Sequence, residues 1–203
     1  MTQESAVIPD LIRQSIAEPR AAADRLMRLD LPAPVLWEAL ALVVALSVIT
    51  AQVTTIFLGG AAAPEAEMMG DFFANPLLMG AIQGAILVIM VFAVHLIGRA
   101  MGGIGRFEDA IVLVAWLQFL LVCLQVAQTA VGFLSPALSG LVGLAGIVLF
   151  FWLLTQFVMA LHGFQSAAMV FVMIMVSLLG ITFAISMILT FLGILVVGEP
   201  PDV

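Results

Sequence analysis

Five apolar runs, Val35–Leu58, Leu77–Ile97, Ala110–Phe133, Ala137–Leu161 and Ala167–Val197, leave this chain few ways to fold. A helix rises about 1.5 Å per residue and a bilayer presents about 30 Å of hydrocarbon, so about 20 apolar residues suffice to cross it. Each run is long enough. The last is long enough to tilt or to project, with Gly180 and Gly193 as places to bend or end, but it is too short for two crossings. Backbone N–H and C=O groups in hydrocarbon must be satisfied within their own segment, which makes each run a helix. Composition agrees: 64% of residues are hydrophobic and 9% charged, against about 45–50% and about 25% in soluble domains. No stretch remains for a separate soluble domain of ordinary size.

Arginine fixes the direction of threading, because basic flanks stay on the cytoplasmic side during insertion. All six basic residues are arginines; Arg13, Arg20, Arg25 and Arg28 precede the first run, and Arg99 and Arg106 lie between the second and third. Five crossings that start inside place both groups on one side and none on the other. The far side receives Glu65, Glu67 and Asp71, the Ser135-Pro136 turn, and Glu199 with Asp202. The expected fold is therefore all-α: a polytopic membrane protein with a cytoplasmic amphipathic helical segment over 1–34, a five-transmembrane-helix bundle over 35–197 and a short periplasmic tail over 198–203. The opening Met-Thr-Gln-Glu-Ser lacks the basic and apolar regions of a removable signal peptide, so insertion is expected to rely on the spans. Lysine and tyrosine are absent and Asn75 is the single asparagine, a usage that points to a GC-rich bacterial genome and hence to the inner (plasma) membrane.

The segment "VIPDLIRQSIAEPRAAADRLMRLDLPAP" places Ile8, Leu11, Ile12 and Ile16, then Ala22, Ala23, Leu26 and Leu29, at spacings of three and four. This predicts amphipathic helix. Pro19 suits a first helical position, so two short helices or one bent helix are expected, closed by Pro32 and Pro34. The apolar face is free to lie in the inner membrane surface or against the bundle. Glu4, Asp10, Glu18, Asp24 and Asp30 among the arginines argue against a polybasic lipid magnet.

Two patches, "AEPRAAADRLMRLDLPAPVLWEALALVVALS" leading into the first span and "GRAMGGIGRFEDAIVLVAWLQ" between the second and third, together with the N-inside, C-outside threading, resemble the Ypt-interacting protein (YIP) family of five-span membrane proteins. The resemblance implies membrane location and this topology. Eukaryotic members are linked to Golgi and ER trafficking and bind small Rab-type GTPases; this chain lacks the long N-terminal region expected of them, and Rab binding is not carried over.

The connector "RAMGGIGRFEDA" holds two arginines, two carboxylates and three glycines. It lacks the third glycine and the preceding strand of a phosphate-binding fingerprint. Gly102, Gly103 and Gly105 are expected to permit a tight reversal, Arg99 and Arg106 to hold it inside, and Glu108 and Asp109 to favour the N-terminus of the third span. The alternative is a cytoplasmic docking surface built from Arg99, Arg106, Glu108 and Asp109.

Within the bilayer, Gln118, Gln125 and Thr129 share a narrow sector of the third span with Gln128 beside it. Gln52 and Gln83 fall in the outer half near Gln125 and Gln128, and Gln156 in the inner half nearer Gln118. This polar face serves either interhelical hydrogen bonding or a path for a solute. No charged residue lies at mid-membrane, which argues against ion or proton pumping. Gly80 with Gly84 and Ser139 with Gly143 form small-xxx-small pairs for close helix packing, in a monomer or a homo-oligomer, with Gly140 and Gly146 extending that thin surface.

Catalytic signals are weak. His95 and His162 both fall at the cytoplasmic interface near Glu108 and Asp109, but without ligand spacing they read as capping or hydrogen-bonding groups, and Met159, Met169, Met173 and Met175 read as core filling. Cys123 reads as a small buried hydrophobe, and Ser135 and Ser139 have no histidine at their depth. No catalytic residue, cofactor or metal is expected. The net charge of −7, spread along the chain, argues against a nucleic-acid partner. The sequence predicts a non-catalytic membrane protein whose partners are the bilayer and a protein or second copy at the cytoplasmic face; the alternative is a passive permease for small solutes or lipids along the glutamine-lined face.

Overall fold

The computed structural model describes residues 7–58 and 75–191. Within them lie seven helices and no strand: α1 (Val7–Ala17), α2 (Pro19–Met27), α3 (Ala33–Leu58), α4 (Pro76–Ala100), α5 (Phe107–Gly132), α6 (Pro136–His162) and α7 (Ala167–Phe191). The last five are long and apolar enough to cross a membrane, so the chain is a multi-pass, all-helical membrane protein. The charged first connector with Glu65, Glu67 and Asp71, the end of the fifth run with Gly193, and the tail with Glu199 and Asp202 fall outside the described residues.

Helix ends sit where cap chemistry puts them. The Asn75 side chain accepts from the amides of Leu77 and Leu78, and Ser135 accepts from Leu138, each followed by a proline that needs no partner for its missing N–H. Gly163 closes α6 at φ 72°, a left-handed conformation open to glycine. Glu108 and Asp109 occupy the first turn of α5, next to its partly positive N-terminus. Pro19 opens α2 and so divides the amphipathic segment into two short helices.

α5 is the hub of the bundle. Half of its most apolar window is buried, against 6–17% in the other four spans, because α3, α4 and α6 all pack on it. α7 rests mainly on α6, with Val170 its one buried residue. The enclosed core is concentrated at one end, where Leu87 and Val91 of α4, Ile111 and Leu117 of α5, and Leu153 and Phe157 of α6 are buried. The α1–α2 hairpin closes this end with Ala22, Ala23 and Leu26 inward. Farther along, Leu141, Val148, Leu179 and Phe183 face outward, as the lipid-facing side chains of membrane-spanning helices do.

Candidate functional site

The best-organised polar feature is the arginine-bearing end, and His162 organises it. Its imidazole is 3% exposed. Nδ1 accepts from the Gly105 amide at 3.2 Å, which assigns the proton to Nε2, and Nε2 lies 3.0 Å from the Val94 carbonyl that receives it. One ring thus ties the C-terminus of α6 to the last turns of α4 and to the connector. It stacks on Phe164 at 5.6 Å and 30°.

The connector's glycines make room for that ring. A Cβ added at Gly98 or Gly103 would fall inside the imidazole, and one at Gly105 would come 2.6 Å from Leu161 Cγ and 2.9 Å from His162 Cε1. Gly102 alone serves the reversal through its backbone, at φ 89°. Bonds from Gly102 N to the Arg99 carbonyl and from Gly103 N to the Gly98 carbonyl satisfy the end of α4. The expectation of glycines for a turn therefore describes Gly102, whereas Gly103 and Gly105 answer to a side chain 57 residues away from Gly105. His95 lies beside this latch, edge-on to Phe107 at 5.4 Å.

Around the latch the charges form a face. Arg106 donates to Asp30 at 3.0 Å and approaches Glu108 at 3.9 Å. The Asp30 bond, with the fields of Asp109, Asp30 and Glu108, raises the pKa of the guanidinium above its ordinary value. Asp30 stands at φ 41° in the link from α2 to α3, a conformation that aspartate tolerates better than most residues. Arg106 and Asp109 meet Asp24, Arg28 and Ile104 around a depression of about 470 Å³, with Ile104 81% exposed at its rim. Of the four residues expected to form a docking surface, the structure brings Arg106 and Asp109 together here. Glu108 lines a smaller recess on the flank with Leu31 and Asp30, and Arg99 stands apart at the end of α4.

Two pairs of polar residues of the spans bond across helices. Gln128 and Ser139 exchange bonds, Gln128 Nε2 donating to the Ser139 carbonyl and Ser139 Oγ to the Gln128 carbonyl, both at 3.2 Å. The Thr54 and Thr129 hydroxyls meet at 2.7 Å, and Thr129 also donates to the Gln125 carbonyl. Gln118 is buried; Gln52 and Gln83 are half-buried. Gln156 turns to α2, accepting from Arg20 Nε at 2.8 Å, and does not join Gln118 in one polar sector. A sizeable groove between α4, α6 and α7, about 270 Å³, is lined by apolar side chains apart from Ser177 and Thr182.

Small residues pack unevenly. Gly143 lies against the Gln128 amide and Gly146 against Leu124, where a Cβ would come within 2.7 and 2.6 Å. Gly80 makes only ordinary contact with Val48, and Gly84 faces open space. The pair expected on α4 is thus not a site of close approach, since α4 closes on its neighbours through Leu87, Val91 and Gly98 nearer the arginine end.

Two attachments of the hairpin had no sequence signal. Trp116 Nε1 donates to Ser15 Oγ at 2.8 Å, and Ser15 donates to the Leu11 carbonyl. Arg20 Nη2 reaches the Met159 sulfur at 3.2 Å. Within the hairpin Arg25 bonds Asp10 at 3.1 Å and Gln14 at 3.3 Å. Among the described residues no three His, Cys, Asp or Glu side chains are grouped to hold a metal.

Residues 13–197 match the Yip1 domain. No curated protein and no solved structure matches the chain.

Proposed function

The chain belongs to the Yip1 domain family, and we propose that it is a non-catalytic bacterial inner-membrane protein, N-terminus inside, whose arginine-bearing face docks a protein partner. One observation carries the reading: the His162 latch fixes the connector so that Ile104, an exposed apolar side chain, stands at the rim of a charged depression. Interfaces draw much of their energy from an apolar anchor ringed by polar groups, and Ile104 with Arg28, Arg106, Asp24 and Asp109 has that form. A loop so tightly tied loses little entropy on binding.

Thr54 with Thr129, and Gln128 with Ser139, bond across helices at about 0.6–2 kcal/mol per contact, which supports packing over a solute path for these residues. The test is site-specific photo-crosslinking in intact cells with benzoylphenylalanine at Ile104. A discrete adduct is expected, lost on Arg99→Glu with Arg106→Glu while the protein still inserts. The same adduct pattern from a lipid-facing control at Leu179, or none from Ile104, would overturn the reading.

A further inference from the structure

We infer that α1 is an interfacial anchor: the isoleucine stripe on its free flank sits at the boundary between the acyl chains and headgroups of the leaflet at the arginine end. The helix divides into three faces. Leu11 and Ser15 are buried against the bundle. Asp10 and Gln14 face α2, where Arg25 holds both. Ile8, Ile12 and Ile16, one turn apart, lie on the flank away from α2; Ile12 is half-buried, and Ile8 and Ile16 are each 53% exposed. Arg13 continues this surface toward the side opposite the bundle.

Depth identifies what covers the stripe. α5 has 26 residues, about 39 Å of helix at 1.5 Å per residue, against about 30 Å of hydrocarbon. Trp116, nine residues in from Phe107, therefore lies about 13 Å along the axis. With the whole excess of about 9 Å projecting at this end, Trp116 stands about 4 Å inside the hydrocarbon boundary. That is the level where tryptophan concentrates, and Ser15 hangs from it by the Trp116 bond. Arg20 on Gln156, six residues before the end of α6, holds α2 at a comparable level. At this depth an apolar stripe faces acyl chains, and the charged faces beside it reach headgroups and water, the arrangement of a helix lying in the interface.

The inference is independent of the docking reading and is tested separately. Single cysteines at Ile8, Ile16 and Arg13, each in a Cys123→Ser background, are labelled with an environment-sensitive fluorophore in phosphatidylcholine–phosphatidylglycerol proteoliposomes. Lipids brominated near the glycerol end of the acyl chain are expected to quench the Ile8 and Ile16 probes several-fold more than the Arg13 probe, and aqueous iodide to do the reverse. The bromine quenching should not change with lipid-to-protein ratio. Isoleucine probes quenched by iodide as strongly as Arg13, or lipid quenching that disappears as protein crowds the membrane, would overturn the assignment, the second result showing that another copy covers the stripe.

Discussion

A methyl group added at Gly103 has nowhere to go but into the His162 ring. Overpacking of this kind costs about 1–3 kcal/mol, so Gly103→Ala is expected to lower stability by that amount in detergent unfolding. His162→Ala leaves the Gly105 amide buried without its acceptor, a further cost of about 1–3 kcal/mol. Because both changes act on the same space, the double variant should be destabilised by less than the sum of the two. Additive losses would show that the glycines and the imidazole are not one unit. At this scale the sequence is legible only where its cause is local. The reversal at Gly102, at positive φ, follows from glycine's backbone freedom, and the caps at Asn75 and Ser135 from short polar side chains before proline. The partner of Gly98, Gly103 and Gly105 is a histidine on another helix, which no spacing rule reaches. Ser15 with Trp116 is invisible for the same reason.

Among the elements, the amphipathic hairpin shows both what periodicity reveals and where it stops. Apolar spacing of three and four, with Pro19 at the break, predicts two short helices or one bent helix, and two are found. The pattern offers the bundle or the membrane surface as the cover for the apolar face. α2 takes the bundle with Ala22, Ala23 and Leu26, and α1 divides its faces. Burying Leu26 contributes about 1.5–3 kcal/mol to the docking of α2. α1 depends more on its single bond to Trp116. Trp116→Phe keeps the ring and removes the indole N–H, at an expected cost of about 1 kcal/mol. Amide exchange in α1 should then quicken several-fold while exchange in α5 stays unchanged; equal quickening in both helices, or none in either, would contradict this attachment. That there are five long apolar helices was legible, because hydrocarbon leaves a span no alternative to the helix. The face each span turns inward was not, since uniformly apolar helices carry little amphipathic signal. That is why Gln156 and Gly84 lie away from the contacts expected of them.

For the molecule as a whole, the core and, among the described residues, the charge gather at one end while the rest of the bundle meets lipid. Between apolar helices in hydrocarbon there is little hydrophobic gain, so a bundle with few polar contacts packs loosely where lipid surrounds it. At the arginine end water is near, burial is favourable, and the hairpin, connector and α6 terminus close on one another. The account therefore stands on which side of the membrane that end occupies. The direct measurement uses Ile104→Cys in a Cys123→Ser background, at a position open to solvent, with a membrane-impermeant maleimide applied to bacterial cells whose outer membrane has been opened. The account predicts no labelling of Cys-substituted Ile104 until the inner membrane is also permeabilised. Labelling with that membrane still sealed would place the arginines outside and contradict the account.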